Sequence, residues 1–410
     1  MQVRWDWRRI LRRLAAMLVG LQATTVAALS ITSALRKRRA PPASFPHGRQ
    51  GATDVDGNDV ELYTYGQDLY DAMLAAIDAA REVIFLETYI WKGDRLGQTF
   101  KDRLVRKAAE GVQVYVIYDG FANLVVRPGF KHFPPSIHVL DYRSLAHAWY
   151  AFDPRRYARD HRKLLVVDNA FAFLGGFNIG ALYATQWRDT HLELRGPAAA
   201  DLGLAFIHFW NTNRGTRPAI PEIAPGPWDA RIQVHRNDPA RLVFPIRGMY
   251  LDAIERAREH IYLTNAYFIP DRVILAALFD AARRGVDVRV LVPWDSNHVV
   301  ADWLARGFFA RCLRHGVRIF GYRHAMIHAK TATIDGNWST VGTANLDRLS
   351  LAGNYEINVE IYDQSFAAEM ERIFLTDLTN AFEVTWETWA RRPWYDWAGQ
   401  LLLSPLRPLA

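Results

Sequence analysis

Two short stretches of the 410-residue chain carry the same reactive side chains in the same order. His161-Arg-Lys163 runs into the apolar Leu164-Leu-Val-Val167 and ends at Asp168; His328-Ala-Lys330 runs into Thr331-Ala-Thr-Ile334 and ends at Asp335. Asn178 and Asn345 follow, each just after a glycine turn, and an acid closes each series, Asp189 in the first and Glu356 in the second. From either histidine the intervals to lysine, aspartate, asparagine and acid are 2, 7, 17 and 28, and the two series lie 167 residues apart. Five functional side chains do not recur at one offset by chance. Imidazole supplies a nucleophile or an acid/base group. Lysine ammonium and amide N–H groups stabilise negative charge on oxygen. Neither series alone holds both a nucleophile and an acid. Packed face to face about a pseudo-twofold, they put two His, two Lys and two Asn around one point, a pocket suited to a phosphodiester.

The elements that must position these groups are also written twice. Ala76 to Tyr89 matches Ala253 to Ala266, each reading as a helix running into a buried strand. Ala108-Ala-Glu-Gly-Val-Gln-Val-Tyr-Val-Ile117 matches Ala282-Arg-Arg-Gly-Val-Asp-Val-Arg-Val-Leu291, a helix end, a glycine and an alternating β-branched run. Pro218, Pro221, Pro225 and Pro227 mark a linker between the halves. The expected fold class is α/β, two similar lobes over 56–215 and 231–385 joined by a Pro-rich 216–230. On a strand the side-chain period is two, so His and Lys of each motif share a face while Asp168 and Asp335, at an odd interval, point away. These aspartates complete the motif but read as structural supports. His191 reads as a strand residue and Arg162 as a charge at the surface or pocket edge. Asp141 to Asp160 has no counterpart in the second half and reads as a loop or an entrance to the site.

Charge separates the partners. Residues 1–40 hold nine Arg or Lys against the single acid Asp6, so of the chain's formal +7 the remaining 370 residues carry −1. A protein gripping a nucleic-acid backbone spreads basic charge over its folded surface. Here the excess flanks the uncharged run Leu14 to Leu35, 22 residues long, and points to a membrane surface rather than to nucleic acid. That segment (1–40) reads as an embedded or spanning anchor, an interfacial helix with basic ends, or a signal peptide, and 41–55 as a linker. In the tail, 386–410, Trp386, Trp389, Trp394 and Trp397 suit either a lipid headgroup layer or packing on the body. Cys312 is the lone cysteine, so no internal disulfide is possible and it reads as a buried apolar residue. No GxxxxGK[ST] loop implies ATP and His324, near His328, lacks a third ligand at sensible spacing. Neither a cofactor nor a metal is expected.

The doubled His-x-Lys-x4-Asp resembles the mark of the phospholipase D superfamily. Leu86-Glu-Thr-Tyr-Ile-Trp91, Phe173-Leu-Gly-Gly-Phe-Asn178, Thr264-Asn-Ala-Tyr-Phe-Ile-Pro270 and Val341-Gly-Thr-Ala-Asn-Leu-Asp347 are similar to its bacterial cardiolipin synthases, over about 60–385. The resemblance implies two α/β/α sandwich lobes, a location at the bacterial inner membrane, and phosphatidyl transfer from phosphatidylglycerol to an alcohol through a phosphohistidine. It makes His161 the nucleophile and His328 the acid/base. Lys163, Lys330, Asn178 and Asn345 would bind the phosphate, and Asp189 and Glu356 would each orient the histidine of their own lobe. Hydrolysis or headgroup exchange is the runner-up; nuclease activity and a non-catalytic adaptor are further alternatives.

Overall fold

The computed structural model describes residues 7–39, 41–48, 51–143, 157–225 and 231–405. The chain enters through one helix, α1 (Trp7–Arg39). The first lobe follows as β1 (Thr53–Val55), β2 (Asn58–Tyr65), α2 (Gly66–Ala79), β3 (Val83–Thr88), α3 (Arg95–Ala109), β4 (Gln113–Asp119), β5 (Ile137–Tyr142), β6 (Leu164–Val167), β7 (Phe171–Gly175), α4 (Ala181–Thr185), β8 (Trp187–Arg195) and α5 (Ala199–Asn213). The second lobe repeats the plan with β9 (Ile232–Arg236), α6 (Pro245–Arg256), β10 (His260–Asn265), α7 (Arg272–Arg283), β11 (Asp287–Pro293), α8 (Val299–Arg314), β12 (Arg318–Tyr322), β13 (Met326–Ile327), β14 (Lys330–Ile334), β15 (Trp338–Gly342), α9 (Arg348–Ala352), β16 (Ile357–Tyr362), α10 (Gln364–Leu378) and β17 (Ala381–Val384). Two further helices, α11 (Trp386–Ala390) and α12 (Trp394–Leu403), close the described chain.

Each lobe is a mixed sheet covered by helices, in the order β1-β2-β8-β7-β6-β3-β4-β5 for the first and β17-β12-β11-β10-β14-β15-β16-β9 for the second. The helix-to-strand repeats build the parallel part, β3-β4-β5 and β10-β11-β12. Gly111 and Gly285 sit where α3 and α7 give way to β4 and β11, at φ of 95° and 94°, a left-handed conformation that costs a residue with a Cβ. Strands such as Leu164–Val167 are buried on both faces, so they read as continuous apolar runs without alternation.

The lobes share one core. A single apolar cluster takes Leu164, Val166, Leu174 and Phe206 from the first lobe and Val341, Ile357, Val359 and Phe366 from the second. Polar links cross the same seam. Arg188 of β8, only 1% exposed, pairs with Asp377 of α10 through Nε–Oδ1 at 2.9 Å and Nη2–Oδ2 at 2.6 Å. Breaking such a buried pair by removing one partner costs about 3–5 kcal/mol, because the other charge is left in a low dielectric. The short β13 lies off the sheet of the second lobe and pairs parallel with β8 of the first, Met326 with Trp187 and Ile327 with Arg188, while Ile327 still packs against Leu291 and Phe320 of its own lobe.

No helix among the described residues is long and apolar enough to cross a membrane. Along α1, Gln22, Val26, Leu29 and Ser33 recur at intervals of four, three and four and are partly or fully shielded, Val26 and Leu29 by the second-lobe core. Gln22 Nε2 donates to the Leu402 carbonyl of α12 at 3.0 Å. Met17, Val19, Leu21, Ile31 and Leu35 face outward. The tail is divided too: Trp389 is buried against Phe309 of α8, while Trp386, Trp394 and Trp397 are exposed. Cys312 is buried and free. Most of the insertion, 144–156 with Trp149, Tyr150, Arg155 and Arg156, lies outside the described residues, as do 226–230 of the linker.

Candidate active site

His161 and Lys163 sit in the extended segment leading into β6, and His328 lies between β13 and β14, where Lys330 opens the strand. Both lysines are buried and turn back on their own motif: Lys163 Nζ donates to the His161 carbonyl at 2.6 Å, and Lys330 Nζ donates to the His328 carbonyl. Asn178 and Asn345 are each 3% exposed, just beyond the turns after β7 and β15. Asn178 Oδ1 accepts from the Ile90 N–H at 3.1 Å, which fixes the amide plane. Asn345 Oδ1 is buried without a partner among the described residues.

The orienting acids are exchanged between the lobes, contrary to the expectation of a partner within each. His161 Nδ1 donates to the Glu356 carboxylate, 2.9 and 3.0 Å from its two oxygens, and His328 Nδ1 donates to Asp189 Oδ2 at 2.7 Å. The backbone enforces the exchange. His161 N–H donates to the Tyr355 carbonyl at 3.1 Å and His328 N–H to the Arg188 carbonyl at 2.7 Å, so each histidine is docked beside the residue preceding the other lobe's acid. Sequence spacing within a lobe carries no trace of a contact that only the twofold packing creates. Each ring thereby keeps Nε2 clear of its carboxylate.

The glycine turns differ for a steric reason. A Cβ at Gly176 would run into the Asp189 carboxylate, whereas Thr343 at the matching place donates its hydroxyl to Glu356 Oε2 at 2.6 Å. The motif aspartates stay out of the constellation. Asp168 accepts from the N–H groups of Arg81, Glu82 and Val83 at 2.8, 2.8 and 2.9 Å, and Asp335 from those of Arg258, Glu259 and His260 at 2.7, 2.9 and 2.9 Å. They tie down the turns before β3 and β10. Arg162 is no surface charge: it is 3% exposed, donates to Glu87, and lies 3.3 Å from Asp160 Oδ1. Arg348 is exposed at the start of α9, and His191 is a buried residue of β8.

Aromatic side chains outside the repeated motif wall both histidines. Tyr89 meets the His161 ring edge-on at 4.7 Å, and Tyr267 meets that of His328 at 6.2 Å. Trp187 stands 4.9 Å from His328 on another side. Tyr89 and Tyr267 lie just beyond the ends of the repeated strands β3 and β10, Tyr89 closing one repeated segment and Tyr267 directly following the other.

Charge is concentrated and poorly hydrated here. Burial, then Lys330 and Asp189 acting in opposite senses, brings His328 down to about 3; burial, then Lys163 and Lys330, brings His161 well below the ordinary imidazole range. Burial lowers Lys163 to about 8 and Lys330 to about 7, although Glu356 and Asp189 favour their charged forms. Burial raises Glu356 to about 7, against the pull of Lys163. Burial would raise Asp189 too, but His328 and Lys330 outweigh it and hold that carboxyl below its usual value. Groups of both lobes thus act on one another as one cluster. Both imidazoles are neutral in the free site, with a lone pair available at Nε2.

A family profile described as cardiolipin synthase, PLD-like domain, matches residues 73–210 and 250–378. The cardiolipin synthase of Listeria welshimeri is 33% identical over 382 residues, covering 87% of this chain and 77% of its own length. The chain belongs to the cardiolipin synthase family of phospholipase-D-like proteins. Cardiolipin synthase A of Pseudomonas putida is 35% identical over 347 residues, covering 80% of this chain and 70% of its own. Among solved structures, the phosphatidylserine synthase of Haemophilus influenzae superposes with a TM-score of 0.65 at 14% identity, over 88% of this chain and 95% of that one. The likeness extends to the fold of both lobes. For a family member with this site, kcat/KM is expected to follow a narrow bell. It falls at acid pH as Glu356 takes a proton below about 7, and at alkaline pH as Lys330 and Lys163 lose theirs through about 7 and 8. A bound anion favours the charged lysines, so the alkaline limb of kcat should lie at higher pH than that of kcat/KM. Initial rates across pH test this; coincident alkaline limbs would mean that the lysines do not face the substrate.

Proposed function

We propose that this protein is a membrane-associated phosphatidyltransferase that joins the phosphatidyl group of one phosphatidylglycerol to the free hydroxyl of a second, making cardiolipin and glycerol. The carrying observation is the pair of imidazoles from two lobes, each oriented through Nδ1 by the other lobe's carboxylate, beside two buried lysines.

In the first step His161 Nε2 attacks phosphorus, the P–O bond to glycerol breaks, and His328 gives its proton to the departing alkoxide. His328 must therefore gain a proton as the anionic phosphodiester enters and offsets the two lysines, which add to burial in keeping it neutral. In the second step the acceptor hydroxyl passes its proton to His328, its oxygen bonds to phosphorus, and the P–N bond to His161 breaks. Lys163, Lys330 and the amides of Asn178 and Asn345 stabilise charge on the non-bridging oxygens. Glu356 and Asp189 hold the tautomer that exposes Nε2. The His161 and His328 side chains are only 13% and 6% exposed, which limits the contact of the reacting groups with bulk water.

The near-neutral body argues against a nucleic-acid substrate. The uncharged outer side of α1 between basic ends suits a helix lying in the headgroup layer of a bacterial inner membrane. The test is to incubate the purified full-length protein with phosphatidylglycerol vesicles and identify the lipid products by mass spectrometry. Cardiolipin with glycerol is expected. Phosphatidic acid as the sole product would overturn transfer in favour of hydrolysis.

A further inference from the structure

A cavity of about 220 Å³ lies in the second lobe between α8, β17 and the terminal helices α11 and α12. None of its lining residues belongs to the catalytic constellation. Its walls carry two arginines, each held against a tryptophan. The Arg306 guanidinium stands 4.3 Å from the Trp294 ring centroid and donates to the Trp294 carbonyl. The Arg392 guanidinium stands 4.4 Å from the Trp389 ring centroid and donates to the Trp389 carbonyl at 2.8 Å. Stacking fixes both planar cations and leaves little side-chain freedom to lose on binding.

Two buried donors on this wall, Trp389 Nε1–H and Arg392 Nε–H, have no hydrogen-bond partner among the described residues. Trp389 is only 5% exposed. An indole N–H and a guanidinium N–H can only donate, so what they lack is an acceptor. Buried donors left unmatched beside two cations call for an anion. Gln400 also lines the cavity, its Oε1 accepting from Arg392 Nη2 at 3.4 Å, and Asp396 offers a carboxylate that suits a ligand carrying a hydroxyl or ammonium donor next to its anionic centre. The volume lies below the roughly 300–1,000 Å³ of pockets that enclose whole small molecules. It is large enough for a phosphate with a small polar head.

The surroundings say where such a phosphate would come from. On α12, Trp394, Trp397 and Leu401 are 78%, 59% and 59% exposed. Alongside, α1 is fastened to α12 through Gln22 and presents Met17, Val19 and Leu21 outward. Tryptophan beside aliphatic surface is the composition of a protein face resting at the headgroup level of a bilayer.

We propose that this cavity binds the phosphate of a phospholipid headgroup, docking α12 and α1 on the bilayer at a site separate from the catalytic centre. Trp389 Nε1 and Arg392 Nε donate to its oxygens and Arg306 adds charge.

The test is flotation of the full-length protein with vesicles of phosphatidylcholine, with and without phosphatidylglycerol, in a His161→Ala background that prevents turnover. Adding Trp389→Phe and Arg392→Gln together is expected to weaken binding to the phosphatidylglycerol vesicles at least about tenfold, the effect of losing a hydrogen bond to a charged group. Arg306→Gln serves as the second variant should the pair disturb packing, and thermal melting identifies any variant that does not fold. Calorimetric titration with inorganic phosphate and with glycerol phosphate separates the sources. Undiminished vesicle binding by folded variants would overturn the proposal. So would tight binding of free phosphate that the substitutions abolish while vesicle binding stays intact. Rates of the otherwise native Arg306→Gln variant on detergent-dispersed phosphatidylglycerol should stay at the wild-type level, so failure of the docking site is distinguishable from failure of the proposed reaction.

Discussion

His328→Ala is expected to slow cardiolipin formation by about 10²–10⁴-fold, yet to leave cleavage of a p-nitrophenyl phosphatidyl ester nearly intact. Nitrophenolate departs without a proton, so an enzyme lacking only its general acid still loads the phosphatidyl group onto the nucleophile. His161→Ala should lose both reactions, by up to about a million-fold, the scale seen when a nucleophile is removed from a working constellation. The phosphohistidine itself should accumulate in His328→Ala supplied with the activated ester and no good acceptor, and be absent from His161→Ala. Release of nitrophenol together with intact-protein mass spectrometry reads both. The opposite pattern would exchange the two roles, and equal loss on both substrates would abolish the division of labour.

Exchange of the orienting acids makes a second prediction that pairing within a lobe would reverse. Glu356→Gln lies in the second lobe but should behave as a defect of the first-lobe nucleophile, poor on phosphatidylglycerol and on the nitrophenyl ester alike. Asp189→Asn lies in the first lobe but should behave as a defect of His328, rescued by the activated ester. The loss on phosphatidylglycerol should approach about 10⁴-fold, as when the carboxylate orienting a catalytic histidine becomes an amide that favours the wrong tautomer. Merely structural damage would lower both substrates equally in both variants. Rescue of Glu356→Gln together with failure of Asp189→Asn would show that the contacts of 2.7–3.0 Å do not govern catalysis.

What was legible in the chain was what duplication had written twice. The repeated intervals of 2, 7, 17 and 28 singled out the histidines, lysines, asparagines and acids, and the repeated helix-to-strand segments pointed to two α/β lobes. The parity of Asp168 and Asp335 set them apart from the pocket, where they are found holding backbone turns. What escaped depends on packing between distant segments. His161 meets an acid 195 residues away rather than 28, because the lobes face each other. Arg162 reads as a charge at the surface or pocket edge because its local neighbours are ordinary; its burial is compensated by Glu87, 75 residues earlier, together with Asp160. The choice between a spanning and an interfacial reading of Leu14 to Leu35 stays open in the sequence, because a run of uncharged residues says nothing about which side is already occupied. Gln22, Val26, Leu29 and Ser33 give α1 a side turned toward protein.

The exchange also bears on synthesis. A chain leaving the ribosome completes its first lobe while Glu356 is still unmade, and at about 5–20 residues per second the interval from His161 lasts on the order of ten to forty seconds. Throughout that time the emerging imidazole has neither its orienting carboxylate nor a proton donor opposite it. On the reaction proposed above, a nascent or prematurely terminated chain therefore lacks both the carboxylate that orients His161 and the second histidine, and the paired site is assembled only once the second lobe has been made.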